Sequence, residues 1–301
     1  MSKTDLSNCI LCPRQCGVER TAGVKGYCGE SDVVRVARAA LHFWEEPVIC
    51  GEAGSGTVFF SGCNLRCIFC QNGEIASGMV GKEITVERLA EIFMELQGKG
   101  AVNINLVTAS HYVPQVAEAI RIAGSKGLCI PVVYNTSSYE NVETLKLLDG
   151  LVDIYLPDMK YMDETLAKAY SNAGDYPEIA MKAIREMYRQ VGKTQFDEDS
   201  GIMKKGVIVR HLVMPGAVHN ANAVIDYLYK TYGDKIYISI MNQYTPMKEF
   251  EDFSELNRPV TKREYEKVIQ YALDKGIENA FIQEGNTAKE SFIPPFDCEG
   301  V

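Results

Sequence analysis

The residues best able to do chemistry lie in Gly62-Cys63-Asn64-Leu65-Arg66-Cys67-Ile68-Phe69-Cys70-Gln71-Asn72, three cysteines separated by three and then two residues. Thiolates are the ligands of iron–sulfur clusters. A loop this short can wrap three of them around one cubane cluster. It supplies no fourth, and the nearest others along the chain are Cys50 and Cys28. Three protein ligands leave one iron of a 4Fe–4S cluster open to a non-protein ligand. A closed structural zinc site usually takes four protein ligands instead.

A second set is Cys9-Ile10-Leu11-Cys12-Pro13-Arg14-Gln15-Cys16 with Cys28 beyond it. Glycines at 17, 23, 26 and 29 allow the tight turns such a site needs. Four thiolates suit either structural zinc or a second iron–sulfur cluster, and the spacing fits both. Zinc would fasten a small module that lacks its own core. A cluster would relay electrons or bind substrate. Seven of the ten cysteines thus fall in two clusters. Cys50, Cys129 and Cys298 read as free, with Cys129 a small core hydrophobe.

The rest of the composition is ordinary. The chain has 301 residues, 46% hydrophobic and 24% charged, with a formal net charge of −9. No long basic run is present, which argues against a nucleic-acid or anionic-membrane surface. No apolar run reaches the ~18 residues of a membrane span. The polar opening Met1-Ser2-Lys3-Thr4-Asp5 has no apolar signal region. A cytoplasmic location is therefore expected, where clustered cysteines serve metals or redox chemistry rather than disulfides.

These side chains need elements to hold them. Residues 1 to about 56 read as a separate cysteine-rich metal module, and 57–301 as a larger unit. In the latter, nearly continuous apolar runs predict strands at Thr57–Ser61, Asn103–Val107, Ile130–Tyr134, Val152–Leu156, Val207–Val213 and Ile236–Met241, with a weaker seventh at Ala280–Gln283. Helices are predicted at Thr85–Gly98, Pro114–Ser125, Tyr139–Leu148, Asp175–Val191 and Asn222–Tyr232. A last one opens on the capping box Thr261-Lys262-Arg263-Glu264 and stops at Gly276. The polar stretch Lys193–Lys205 reads as a surface excursion. Such β–α repeats make a parallel α/β protein, an open doubly wound sheet or a barrel.

Cys-x-x-x-Cys-x-x-Cys with an aromatic before its last cysteine, directly after a first strand, resembles the signature of the radical S-adenosylmethionine (SAM) superfamily. The runs Leu41-His42-Phe43-Trp44-Glu45-Glu46-Pro47 and Tyr155-Leu156-Pro157-Asp158-Met159-Lys160-Tyr161 resemble the branch of pyruvate formate-lyase activating enzyme and its relatives with an N-terminal cysteine module. The resemblance implies a partial (β/α)6 TIM-like barrel and a 4Fe–4S cluster on Cys63, Cys67 and Cys70. It also implies an open iron chelated by SAM, which is cleaved reductively to give a 5′-deoxyadenosyl radical. That radical would abstract hydrogen from a protein glycine, as in activases, or from a small molecule or another peptide residue. The electron donor would be a flavodoxin or ferredoxin. The contrasting reading is a zinc-stapled, non-enzymatic binding protein on an α/β scaffold.

Ligands of parallel β/α folds lie at the C-terminal ends of the strands. By the resemblance, Phe69 packs on adenine and backbone near Asn72 pairs with its edge. Thr108 and His111 stand where the superfamily often has Gly-Gly-Glu, a motif this chain lacks. Asn135-Thr136-Ser137-Ser138 offers amide and hydroxyl groups to a ribose or carboxylate. Asp158-Met159-Lys160 matches the activases' Asp-x-Lys, with Lys160 on the cofactor carboxylate and Asp158 orienting it. Arg210 resembles their cofactor-contacting arginine, and Gln243, in Asn242-Gln243-Tyr244, replaces a histidine they often use. Asn135, Thr136 and Asp158 could also coordinate a monovalent cation. His42, Trp44, Glu45 and Glu46 either line the substrate side of the mouth or join module to barrel.

Overall fold

The computed structural model describes residues 5–283 and 293–301, so Met1–Thr4 of the polar opening lie outside it. Its strands are β1 (Val34–His42), β2 (Ser55–Phe60), β3 (Lys82–Ile84), β4 (Ile104–Val107), β5 (Val132–Thr136), β6 (Ile154–Pro157), β7 (Gln195–Phe196), β8 (Met203–Leu212), β9 (Tyr237–Met241) and β10 (Ala280–Ile282). They form one sheet in the order β10-β9-β8-β6-β5-β4-β2-β1-β3, with β7 pairing β8 off this path. From β2 to β10 the path is parallel throughout. This is a partial (β/α) barrel of six strands with β10 as a short seventh.

The apolar runs become strands because both their faces are covered. All four residues of β4 and all five of β5 are buried. The helix Val86–Gly98 lays Leu89, Phe93 and Leu96 against this sheet. Burying each such side chain contributes roughly 1.5–3 kcal/mol. Thr261 caps the helix Lys262–Asp274, with both arms of the expected capping box formed. A further helix, Glu164–Ser171, is announced only by Asp163, whose carboxylate accepts from the amides of Thr165 and Leu166. The excursion before β8 is a small hairpin in which β7 folds back on Met203–Lys205.

Residues 34–42 belong to the sheet as β1, antiparallel to both β2 and β3. Periodicity hides this strand because a register shift between Val36 and Arg38 breaks its alternation. The end of the described chain lies along it. Cys298 N–H donates to Ala37 O at 3.0 Å, Ala39 N–H donates to Glu299 O at 2.8 Å, and Arg38 pairs with Asp297 and Glu299. Cys129 does not join the core. It is exposed, its sulfur 3.5 Å from Gln97 Oε1, because the chain is still outside the sheet before β5 begins.

Candidate active site at the strand ends

β2 stops at Phe60, and Gly62 turns the chain with φ of +82°. A side chain at Gly62 would stand 2.7 Å from Cys28 O and 2.5 Å from Glu30 Cγ, so only glycine fits. The cysteine loop follows, and the N-terminal segment clamps it. Arg14 donates to Asn64 O (2.9 Å), Leu65 O (3.3 Å), Ser171 O (2.9 Å) and Asn172 O (2.5 Å). Its guanidinium also stacks between the rings of Tyr27 and Tyr139. Asn64 Nδ2 donates to Tyr139 O at 2.7 Å.

Cys63, Cys67 and Cys70 are half-buried and all face one cavity of about 220 Å³. Leu65 N–H lies 3.4 Å from Cys63 Sγ, and the Ser171 hydroxyl donates to Cys67 Sγ at 3.1 Å. Such donors onto thiolate sulfur hold and tune an iron–sulfur centre. Burial, with its two neighbours adding to it, pushes the Cys70 thiol up to about 12. Bare thiolates are therefore disfavoured here, and a bound metal would supply the missing positive charge. Among the described residues no three His, Cys, Asp or Glu side chains converge as ligands of a single ion. A cubane takes its thiolates on separate irons rather than on one ion.

The opposite wall is charged. Asp158 accepts from Lys160 Nζ at 2.6 Å through one oxygen and from Arg210 Nε at 3.0 Å through the other. Arg210 also donates to Asn135 Oδ1 (2.6 Å) and Glu45 Oε2 (3.2 Å). Glu45 Oε1 in turn accepts from Asn105 and Asn135, both at 3.2 Å. These four charged side chains are 18% or less exposed. Burial alone would raise the Asp158 carboxyl, but Lys160 and Arg210 outweigh it and hold it below the usual range. Burial likewise opposes the Lys160 ammonium, yet Asp158 and Cys67 keep its pKa above lysine's ordinary value.

The cavity brings together Phe69, Asn72, Thr108, Asn135, Thr136, Asp158, Lys160, Arg210 and Gln243 with the three cysteines. Phe69 stands edge-on to Tyr170 and Tyr244. Thr108 carries a φ of +60°, an uncommon conformation for a β-branched residue and a mark of strain held in place at a site. His111 lies elsewhere, buried with Nε2 2.7 Å from Ser61 O. His42, Trp44 and Glu45 line the mouth. Glu46 lies behind them, where burial raises its carboxyl despite the charge of Arg210. Not foreseen from sequence is Glu140, buried beneath the cavity. It accepts from Ser110 Oγ (2.5 Å), Thr136 Oγ1 (2.5 Å) and Tyr134 OH (3.1 Å). Tyr134 and Thr136 lie in β5 just ahead of the acid, but Ser110, beyond the end of β4, is thirty residues back along the chain.

The four N-terminal thiols differ in exposure. Cys9, Cys12 and Cys28 are buried and Cys16 is exposed. The sulfurs of Cys16 and Cys28 lie 3.1 and 3.6 Å from where a side chain on Gly26 would begin.

Residues 57–197 match the family model of the Radical SAM superfamily. An uncharacterized protein of Methanocaldococcus jannaschii is 29% identical over 280 residues, 90% of this chain and 76% of its own. Streptococcus suis SuiB bound to its precursor peptide SuiA superposes with a TM-score of 0.51 at 14% identity, covering 75% of this chain and 47% of SuiB. HydG, a maturase of the [FeFe]-hydrogenase, gives 0.51 at 13% identity, covering 76% and 52%. The chain thus spans about half the length of these solved structures, and the likeness is one of fold.

Replacing Asp158 with Asn leaves Lys160 without its carboxylate and Arg210 with half its charge partners. Breaking a buried pair in this way is expected to cost about 3 kcal/mol, read as a drop in urea midpoint. A second expectation concerns pH. Burial pushes His111 down to about 3, helped by Arg20, and His211 down to about 4. Unfolded histidine titrates near 6.5, so the unfolded chain takes up protons first as pH falls. Stability should therefore decline from about pH 6.5 towards pH 4, and His211→Gln should flatten part of that slope.

Proposed function

Because residues 57–197 constitute a radical SAM superfamily domain, we propose that the chain is an enzyme that binds a 4Fe–4S cluster on Cys63, Cys67 and Cys70 and SAM beside it. When bound, this pair supplies reductive cleavage of the sulfonium and a 5′-deoxyadenosyl radical that takes hydrogen from the substrate. The observation that carries the reading is the shared cavity, in which three half-buried thiols face the Asp158–Lys160–Arg210 network.

The chain's own residues bind and orient. Lys160 would hold the cofactor carboxylate with its ammonium, which Asp158 fixes by a 2.6 Å bond. Arg210, tied to Asp158, Asn135 and Glu45, is pre-set for a second polar contact. Asn135 and Thr136 would hold the ribose and Phe69 the adenine, with Asn72, Thr108 and Gln243 lining the same cavity. His111 serves from behind by holding Ser61 just before the cysteine loop. SuiB, a neighbour in fold, has been solved with SAM and with a precursor peptide.

The substrate class is a protein or peptide, or a small molecule reaching the mouth between His42, Trp44 and Glu45. A glycyl-radical activating role is supported by the runs 41–47 and 155–161. Cysteine-rich chemistry of this kind needs a reducing compartment, so the protein is placed in the cytoplasm with a flavodoxin or ferredoxin as electron donor. No described helix is long and apolar enough to cross a membrane.

The test is anaerobic reconstitution with iron and sulfide, followed by reduction in the presence of SAM. Wild type should yield 5′-deoxyadenosine, and Cys63→Ala, Cys67→Ala and Cys70→Ala should each abolish it. Lys160→Ala should weaken SAM binding while leaving the iron content unchanged. Retained cleavage in all three cysteine variants would refute the assignment.

A further inference from the structure

The end of the helix Glu164–Ser171 is tied to the cysteine loop through the backbone. Ile68 N–H donates to Tyr170 O at 2.9 Å, and Arg14 spans the two by donating to Asn64 O and Ser171 O, both at 2.9 Å. Asn172 closes the helix in the left-handed conformation, with φ of +46°. One side chain of this end reaches a loop thiol. The Ser171 hydroxyl lies 3.1 Å from Cys67 Sγ and 2.8 Å from Tyr161 OH. Ser171 and Tyr161 are each 1% exposed, so bulk water does not compete for either hydroxyl. Ser171 stands 104 residues beyond Cys67, outside the three-cysteine motif.

A thiolate held on a metal has no proton of its own and accepts hydrogen bonds. Ser171 has a single hydroxyl hydrogen, which then goes to Cys67. Toward Tyr161 it has only lone pairs left, so the phenol hydrogen goes to Ser171. The order is Tyr161 to Ser171 to Cys67, with each donor used once. Tyr161 is braced from behind, edge-on to Tyr176 with ring centres 5.2 Å apart. Cys63 and Cys70 face backbone amides instead, those of Leu65 and Asn72. Cys67 also lies in the field of the Lys160 ammonium.

Hydrogen bonds to the sulfurs are one means by which a protein sets the potential of an iron–sulfur centre. Reduction adds one electron, and the thiolates share the added negative charge. A hydroxyl aimed at one of them stabilises the reduced form more than the oxidised form, which raises the potential. We propose that Ser171 is the hydrogen-bond donor that raises the reduction potential of a cluster on Cys63, Cys67 and Cys70, and that Tyr161 is a positioning residue acting through it. This role rests on the cluster assignment proposed above. It makes the one-electron reduction that precedes SAM cleavage easier without placing another charge in the cavity.

The full chain, reconstituted anaerobically, is titrated with dithionite, and the paramagnetic signal of the reduced cluster is read against potential. Ser171→Ala should make reduction roughly tenfold less favourable, which is about 59 mV for a one-electron couple. Ser171→Thr keeps the hydroxyl and should bring the potential back to the wild-type value. Tyr161→Phe should shift it in the same direction as Ser171→Ala but by less, because Ser171 keeps its hydrogen and loses what orients it. Iron content and circular dichroism check that each variant is loaded and folded. Should Ser171→Ala fail to load, Tyr161→Phe, which does not border the thiols' cavity, decides. A wild-type potential in the loaded variants would overturn the role while the cluster stands. A wild-type chain that takes up no cluster at these thiols would overturn the function itself.

Discussion

Cys63 N–H on Cys28 O is the contact around which this molecule is arranged. The loop that turns three thiols to the cavity anchors itself in the core only through Leu65 and Phe69, with Cys63, Cys67 and Ile68 packed against them. Its support comes from outside. The N-terminal segment provides it through Arg14, which donates to two carbonyls of the loop, Asn64 and Leu65, and to two at the end of the helix Glu164–Ser171. Gly62 and Gly29 let the two backbones approach without an intervening side chain. Each constraint serves the same end, a fixed frame for thiols that burial would otherwise keep protonated.

The second constraint is charge. Two cations and two anions are enclosed at the mouth of the barrel, and burial penalises each of them separately. They persist because every charge is met: Asp158 by Lys160 and Arg210, Arg210 by Glu45 and Asn135, Glu45 by two amides. The network also joins β5, β6 and β8 to the segment after β1. A ligand carboxylate entering here would compete with Asp158 for Lys160 without moving the backbone. That is how a preformed site binds a charged cofactor at low reorganisation cost.

Much of this was legible in the sequence. The parallel strands read clearly because burial on both faces makes them continuous apolar runs. Their C-terminal ends then name residues that line one cavity, Phe69 and eight polar side chains. What stayed hidden depends on contacts distant along the chain or on broken periodicity. The bulge in β1 erased its alternation. His111 follows Thr108 closely, but the left-handed turn at Thr108 sends it under Ser61 instead of into the cavity. Glu140 gains its meaning from Ser110, thirty residues earlier. Cys129 looked apolar by type, and only its place ahead of β5 leaves it exposed.

The central claim is that SAM binds directly at a cluster held by Cys63, Cys67 and Cys70. Electron paramagnetic resonance of the iron-loaded, reduced chain tests it most directly, recorded with and without SAM. Binding at the open iron predicts a new signal from that cluster when SAM is added, lost in Lys160→Ala at the same SAM concentration. A spectrum that SAM leaves unchanged in the wild-type chain would contradict the account.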